Sequence, residues 1–172
     1  MELAVDAPDE LLLSKGDTQA LIRRYYGPVL GLARRLLGDA EARDAAQETF
    51  LRAIARIRDY DPSRPFRVWL FAIAANHVRD LLRRKRAAPL DADVEDALSD
   101  LSLPEDPALL AEDRGALLAA VDALSPDLRI VVLLHFQHDL PPREVAQVLG
   151  ITPNAARIRL YRALRALRKE LS

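Results

Sequence analysis

The stretch from Asp44 to Arg86 constrains the fold more than any other part of the chain. Ala46, Phe50, Ala53, Ile54 and Ile57 recur at helical spacing, which predicts a helix with these residues facing a core. Asp44, Gln47, Glu48 and Arg52 fall together on its other side, polar and available. A short aromatic and proline loop, Tyr60 to Phe66, predicts the break. In the second helix Phe66, Trp69, Leu70, Ile73, Ala74, His77, Leu81 and Leu82 mark the buried side. That helix then leaves its apolar residues behind in Arg83-Arg84-Lys85-Arg86. A helix pair with a polar patch on one member and a basic end on the other suits a bridge between two partners.

Helix signals dominate elsewhere too, and no segment alternates as a strand. A first helix is expected over about Asp9 to Ser14, broken by Lys15-Gly16-Asp17. Asp17 or Thr18 can cap the next, whose stripe is Leu21, Ile22, Tyr25, Val29, Leu32, Ala33, Leu36 and Leu37. Gly27-Pro28 is a place where that helix can kink or stop. Gly38 is expected to end it, with Asp39 capping the helix that follows and Glu41 in its first turn. Pro65 falls near the start of the second helix of the pair.

Charge is segregated. The chain carries 25 basic and 26 acidic residues, for a net charge of −1. Yet residues 88–113 hold nine acids and no base, while residues 153–172 hold six bases and one acid. Local patches set the field a polyanion meets, so the neutral total does not exclude nucleic acid. The acidic stretch is poor in aromatics and rich in one charge, as expected of a flexible linker over 88–107. It divides the chain into two small helical domains, 1–87 and 108–172, and the fold class expected is all-α. No cysteine is present, so disulfides, thiol nucleophiles and thiolate metal sites are excluded. No apolar run approaches the ~20 residues needed to span a bilayer, and the acidic N-terminus lacks the basic start of a signal peptide. A cytoplasmic protein is expected.

In the second domain a helix is expected from about Ala108 to Leu124. Ser125-Pro126 can cap the next, Asp127 to His135, with Leu128, Val131, Val132 and Leu134 as core candidates. Pro142 to Leu149, then Gly150-Ile151-Thr152, then a long basic helix from Pro153 read as a helix-turn-helix. Val145, Ala146 and Leu149 pack its first helix; Gly150 permits the turn; Ile151 plugs the joint; Thr152 caps the second helix. Arg157, Tyr161 and Arg165 lie four apart on one face of that helix, flanked by Ile158 and Arg162. Arginine can grip guanine edges bidentately in the major groove, while other cations hold phosphates. Arg79, Arg83, Arg84, Lys85 and Arg86 exceed what a helix dipole requires and suit phosphate contact. Phe66, Trp69 and Phe71 could stack unpaired bases, although the spacing of Phe66 and Trp69 favours a core. His135 and His138 lack the spacing of a helical zinc pair, and there is no phosphate-cradling glycine loop or nucleophile elbow. Catalysis, cofactor and metal are therefore not expected.

Three segments carry a family resemblance: AAQETFLRA at 45–53, DPSRPFRVWLFAIAANHVRDLLRRKR at 61–86, and LPPREVAQVLGITPNAARIRLYRALRALRKEL at 140–171. In sequence, order and separation they resemble the small extracytoplasmic-function (ECF) sigma factors of bacterial RNA polymerase. The resemblance implies that Asp44, Gln47, Glu48 and Arg52, with Phe50 beneath, dock on the clamp helices of the β′ subunit. It implies that Tyr60, Asp61, Ser63, Arg64, Trp69, Asn76, Arg79, Arg83 and Arg84 meet the melted −10 element, with Asn76 and the Tyr60–Arg64 loop holding a flipped-out base. It implies that Arg143, Arg157, Ile158, Arg159, Tyr161, Arg162 and Arg165 meet the −35 element, that the second domain adjoins the β flap, and that the acidic linker threads near the polymerase active centre. An anti-sigma partner is implied as well. Many relatives have Gly-Thr-Val where Asn154-Ala155-Ala156 stands, and a small polar residue in place of Ile158, so their −35 sequence does not carry over. Two other classes fit parts of the pattern. A helix-turn-helix regulator that never joins polymerase needs neither the Asp44–Arg52 patch nor the Asn76 helix, and a purely structural adaptor leaves the C-terminal arginines without purpose.

Overall fold

The computed structural model describes residues 7–85 and 114–172, and the chain divides into two units, Met1–Arg86 and Ala87–Ser172. The expected linker, Arg86 and the start of the helix expected from Ala108 lie outside the described residues. The described residues are helical, without strand.

The first unit contains α1 (Asp9–Ser14), α2 (Thr18–Leu37), α3 (Asp39–Ala55), a 3-10 turn (Ile57–Asp59) and α4 (Phe66–Lys85). Asp17 starts α2, its carboxylate accepting the Ala20 amide at 3.0 Å. This satisfies one of the amides that a helix start leaves without a partner. Gly27-Pro28 does not interrupt α2, which runs unbroken through Pro28. Burial of Leu21 on one side of the proline and of Val29, Leu32, Ala33 and Leu36 on the other outweighs the lost backbone bond. Gly38 links α2 to α3 at φ 89°, a conformation open to glycine. Asp39 is the first residue of α3 and not its side-chain cap; its carboxylate instead holds Arg34 across the junction at 2.8 Å.

In the core of this unit α2, α3 and α4 pack on one another, and α1 packs on α2. Arg24 and Tyr25 of α2 both grip the Asp9 carboxylate, fastening α1. Burial and the bond to Asp9 push the Tyr25 hydroxyl well above the usual tyrosine range. On α4 the buried side is wider than the spacing implied: Val68, Phe71, Ala75 and Val78 join Phe66, Leu70, Ile73, Ala74 and His77. Trp69, Leu81 and Leu82 are only half-buried.

The second unit contains α5 (Arg114–Ala123), α6 (Pro126–Val132), a π-helical turn (Leu133–Gln137), α7 (Pro142–Leu149) and α8 (Pro153–Leu171). Ser125 precedes α6 but makes no side-chain cap, and Leu128 is half-buried while Ile130 takes its place in the core. The helix expected to reach His135 widens into the π turn, where the His138 amide reaches back to the Leu133 carbonyl. The helix-turn-helix forms as its residues dictate. Gly150 adopts φ 64° and ψ 34°, the Ile151 amide closes onto the Ala146 carbonyl, and the Thr152 hydroxyl accepts the Ala155 amide at 3.1 Å.

Candidate nucleic-acid interface

α8 is packed by α5, α6 and α7, so its buried sector is broad. Ala156, Leu160, Ala163, Leu164 and Leu167 point inward as expected. Ile158 and Arg159, expected at reading positions, do so too: each is only 7% exposed. Three helices around α8 leave little solvent exposure at those positions, and their side chains pack within the unit. Arg157, Arg162 and Arg165 remain exposed, Tyr161 is half-exposed, and Arg143 is exposed in the first turn of α7. The exposed face of α8 is thus a cationic one with a single half-exposed aromatic, held at its N-terminal end by the Thr152 cap.

In the first unit the polar arc of α3 forms as expected. Asp44 and Gln47 are exposed; Glu48 accepts a 2.7 Å bond from the Arg52 Nε, which holds the Glu48 carboxyl below its ordinary range. Phe50 lies beneath, buried, with its ring 6.0 Å from Tyr26. The apolar residues are arranged differently from the expectation. Ile54, near the end of α3, is 46% exposed and Ile57, in the turn after it, 36%, since no element among the described residues buries them. Leu51, absent from the expected patch, is 64% exposed three residues beyond Glu48 and four beyond Gln47, inside the polar arc. The signal for it was there: an apolar residue on the helix's polar side. Ile54 and Ile57 also border an apolar cavity of about 210 Å³ whose wall includes Leu12, Leu13 and Ile22.

The loop before α4 is ordered by its own polar atoms. The Asp61 carboxylate accepts the Ser63 amide at 2.9 Å, the Arg64 amide bonds the Asp61 carbonyl at 3.1 Å, and the Tyr60 hydroxyl donates to the Arg64 carbonyl at 2.5 Å. The first of these bonds draws the Asp61 carboxyl below its ordinary range. The Tyr60 ring lies 5.5 Å from Phe66 and 5.3 Å from Trp69. Phe66 and Phe71 are buried, which removes them as base platforms. Asn76 is exposed, ten residues beyond Phe66 and so about 15 Å further along α4 at ~1.5 Å per residue. Arg83 and Arg84 are exposed, Arg83 lying 3.4 Å from Asp80; Arg79 is half-buried, and Lys85 pairs with Glu41 of α3. His77 is buried in α4, and burial, then the nearby Arg52 charge, lowers its pKa. No group of three or more metal-ligating side chains occurs among the described residues.

The family models for sigma-70 region 2 and sigma-70 region 4 match residues 21–88 and 114–167. The chain is 32% identical to the ECF RNA polymerase sigma factor SigW of Bacillus subtilis, with 92% of each covered. The chain belongs to the ECF sigma factors. This sigma factor is also 38% identical to the RNA polymerase sigma factor CarQ of Myxococcus xanthus, over 88% of its own length and 87% of the relative's. Among solved structures it resembles CnrH, determined with the cytosolic domain of CnrY, at 29% identity and a TM-score of 0.66, covering 94% and 95% of the two chains. RpoE of Bartonella quintana, determined with the anti-sigma factor NepR, shares the fold at a TM-score of 0.68 and 19% identity, covering 90% of this chain and 96% of that one. The sigma factor therefore serves RNA polymerase in promoter recognition and transcription initiation. No described helix is long and apolar enough to cross a membrane.

Proposed function

We propose that the two units divide the work of initiation and that neither performs catalysis. Unit Met1–Arg86 binds core polymerase through the exposed arc of α3 and takes up the melted −10 strand through the 60–64 loop, Asn76 and the basic end of α4. Unit Ala87–Ser172 places α8 in the major groove at the −35 element, with Arg157, Tyr161, Arg162 and Arg165 as readers and Arg143 on phosphate. The observation that carries this reading is the α3 arc, where exposed Leu51 and Ile54 stand among Asp44, Gln47 and Glu48. Exposed apolar residues framed by charge are the ordinary composition of a protein-docking surface, and a DNA-binding regulator working alone has no use for one.

The 15 Å between Phe66 and Asn76 gives the strand two separate holding points along α4. The loop and Asn76 then meet different nucleotides, with Arg83 and Arg84 on phosphates beyond Asn76. Removing a base from its stack costs a few kcal/mol, which a preformed site repays. A protein partner that covers the α3 arc would hold the factor inactive; the similarity to CnrH, solved with a bound partner domain, supports such control in the cytoplasm.

Run-off transcription with purified core polymerase on a pool of promoter fragments tests the reading. Discrete transcripts that need this protein are expected. Absence of both transcripts and a core complex would leave the regulator that never joins polymerase.

A further inference from the structure

Of the four loop residues assigned to the −10 strand, Tyr60, Asp61 and Ser63 have side-chain polar atoms engaged within the loop. The Asp61 carboxylate is turned onto the Ser63 amide. The Tyr60 hydroxyl crosses the whole turn, from the residue before it to the carbonyl of Arg64 at its far end. Tyr60 cannot donate that hydroxyl proton to DNA without giving up the Arg64 carbonyl. Its ring is committed as well, edge-on to Phe66 and tilted against Trp69. Phe66 in turn is fixed: it is buried, and it lies 5.6 Å from the ring of Tyr25, whose own hydroxyl is held by Asp9. A line of contacts therefore runs from α1 through α2 and the start of α4 to the loop. At its end stands Arg64, exposed, with its carbonyl fastened and its side chain outside the turn.

We propose that Tyr60 is a positioning residue: anchored on Phe66 and Trp69, it holds the Arg64 carbonyl and so presents Arg64 to the melted strand without stacking on a base itself. The proposal rests on the reading that the 60–64 loop meets that strand. A loop fixed in its bound shape pays less ordering entropy on capture, so the clasp contributes to affinity through the free state. Arg64 is the residue it serves, because the guanidinium is the cationic group of the turn and a phosphate is the ligand it fits. Aromatic rings sharing edges and faces at these separations also resist the rotation that would bring Tyr60 over a base.

Tyr60→Phe removes the clasp and keeps the ring. Trp69 is the sole tryptophan of the chain and sits against Tyr60, so its emission reports the loop directly. Acrylamide quenching of Trp69 in the free full-length chain is expected to rise in Y60F, with the thermal midpoint lowered by no more than the loss of one hydrogen bond accounts for. Holoenzyme reconstituted with Y60F is expected to capture a labelled pool of random single-stranded DNA roughly three- to tenfold more weakly than wild type, the range of one net hydrogen bond. Its retention of −35 duplex should be unchanged. Equal capture by Y60F overturns the proposal. So does weaker capture with unchanged Trp69 quenching, which would put the hydroxyl on the DNA, and so does a parallel loss of −35 duplex binding. If wild-type holoenzyme captures no more strand than core alone, the underlying reading of the loop fails first, and the clasp has nothing to serve.

Discussion

At Leu51 the chain exposes an apolar side chain in the middle of a polar arc, and burial against a partner is the physical gain such a residue offers. Leu51→Asp is therefore expected to weaken core polymerase binding at least tenfold, as loss of a central interface contact does, without lowering thermal stability. A binding titration beside a melting curve checks both halves. On α8, Arg157→Ala or Arg162→Ala should each cost roughly 1–3 kcal/mol at the −35 element if its guanidinium pairs bidentately with a base. Discrimination between promoter sequences, rather than salt dependence, is the quantity to measure. Sequence spacing gave the polar side of α3 correctly, but it had Ile54 and Ile57 facing the core. Periodicity identifies a face; it cannot tell whether a neighbour reaches that face's edge. Ile158 and Arg159 differ in the opposite direction, buried where the sequence reads as exposed, since an arginine in a basic helix reads as exposed until three surrounding helices are known.

Among elements, the helix-turn-helix was the most legible because each joint has a residue with one mechanical reason. Gly150 sits at φ 64° with open space where a Cβ would stand, so Gly150→Ala should cost only backbone strain, about 1 kcal/mol. Thr152→Ala should cost about the same through the lost cap. Denaturant melts of the full chain are expected to show both losses in the second unit alone. The continuous α2 and the π turn were not legible. Pro28 is a helix breaker by local rule, and packing on both sides of it decides otherwise. The π turn at Leu133–Gln137 adds a residue within one turn, and no composition signal marks where a helix will widen.

Taken as a whole molecule, the factor has one histidine in each unit drawn toward the neutral form, His77 buried and His138 half-buried. Burial lowers the pKa of His138 to about 4 and also lowers that of His77. Both lie below the ordinary histidine value of 6.5, so the unfolded chain binds protons that the folded chain refuses. Their stabilising effect is full above pH 6.5 and is lost as pH falls toward the folded values. The thermal midpoint should fall between pH 7 and 5, most in the second unit, which holds His138, and a melting series across that range checks it. A variant with His77→Gln and His138→Gln should flatten that dependence. Two units on one chain also act as a bivalent ligand for promoter and polymerase. Supplying residues 1–86 and 114–172 as separate pieces should reduce joint promoter engagement by about 10²–10⁴-fold, while each piece keeps its own partner. The inward turn of Ile158 and Arg159 carries a consequence for how such a factor can change its targets. Along α8, buried positions that sustain the fold are interspersed with exposed ones, and the residues proposed to read DNA come from the exposed and half-exposed set. Promoter preference can therefore drift by exchange of Arg157, Tyr161, Arg162 or Arg165 while the scaffold is inherited intact. A lineage could acquire a new regulon, and an engineer an orthogonal one, by editing the outer set alone.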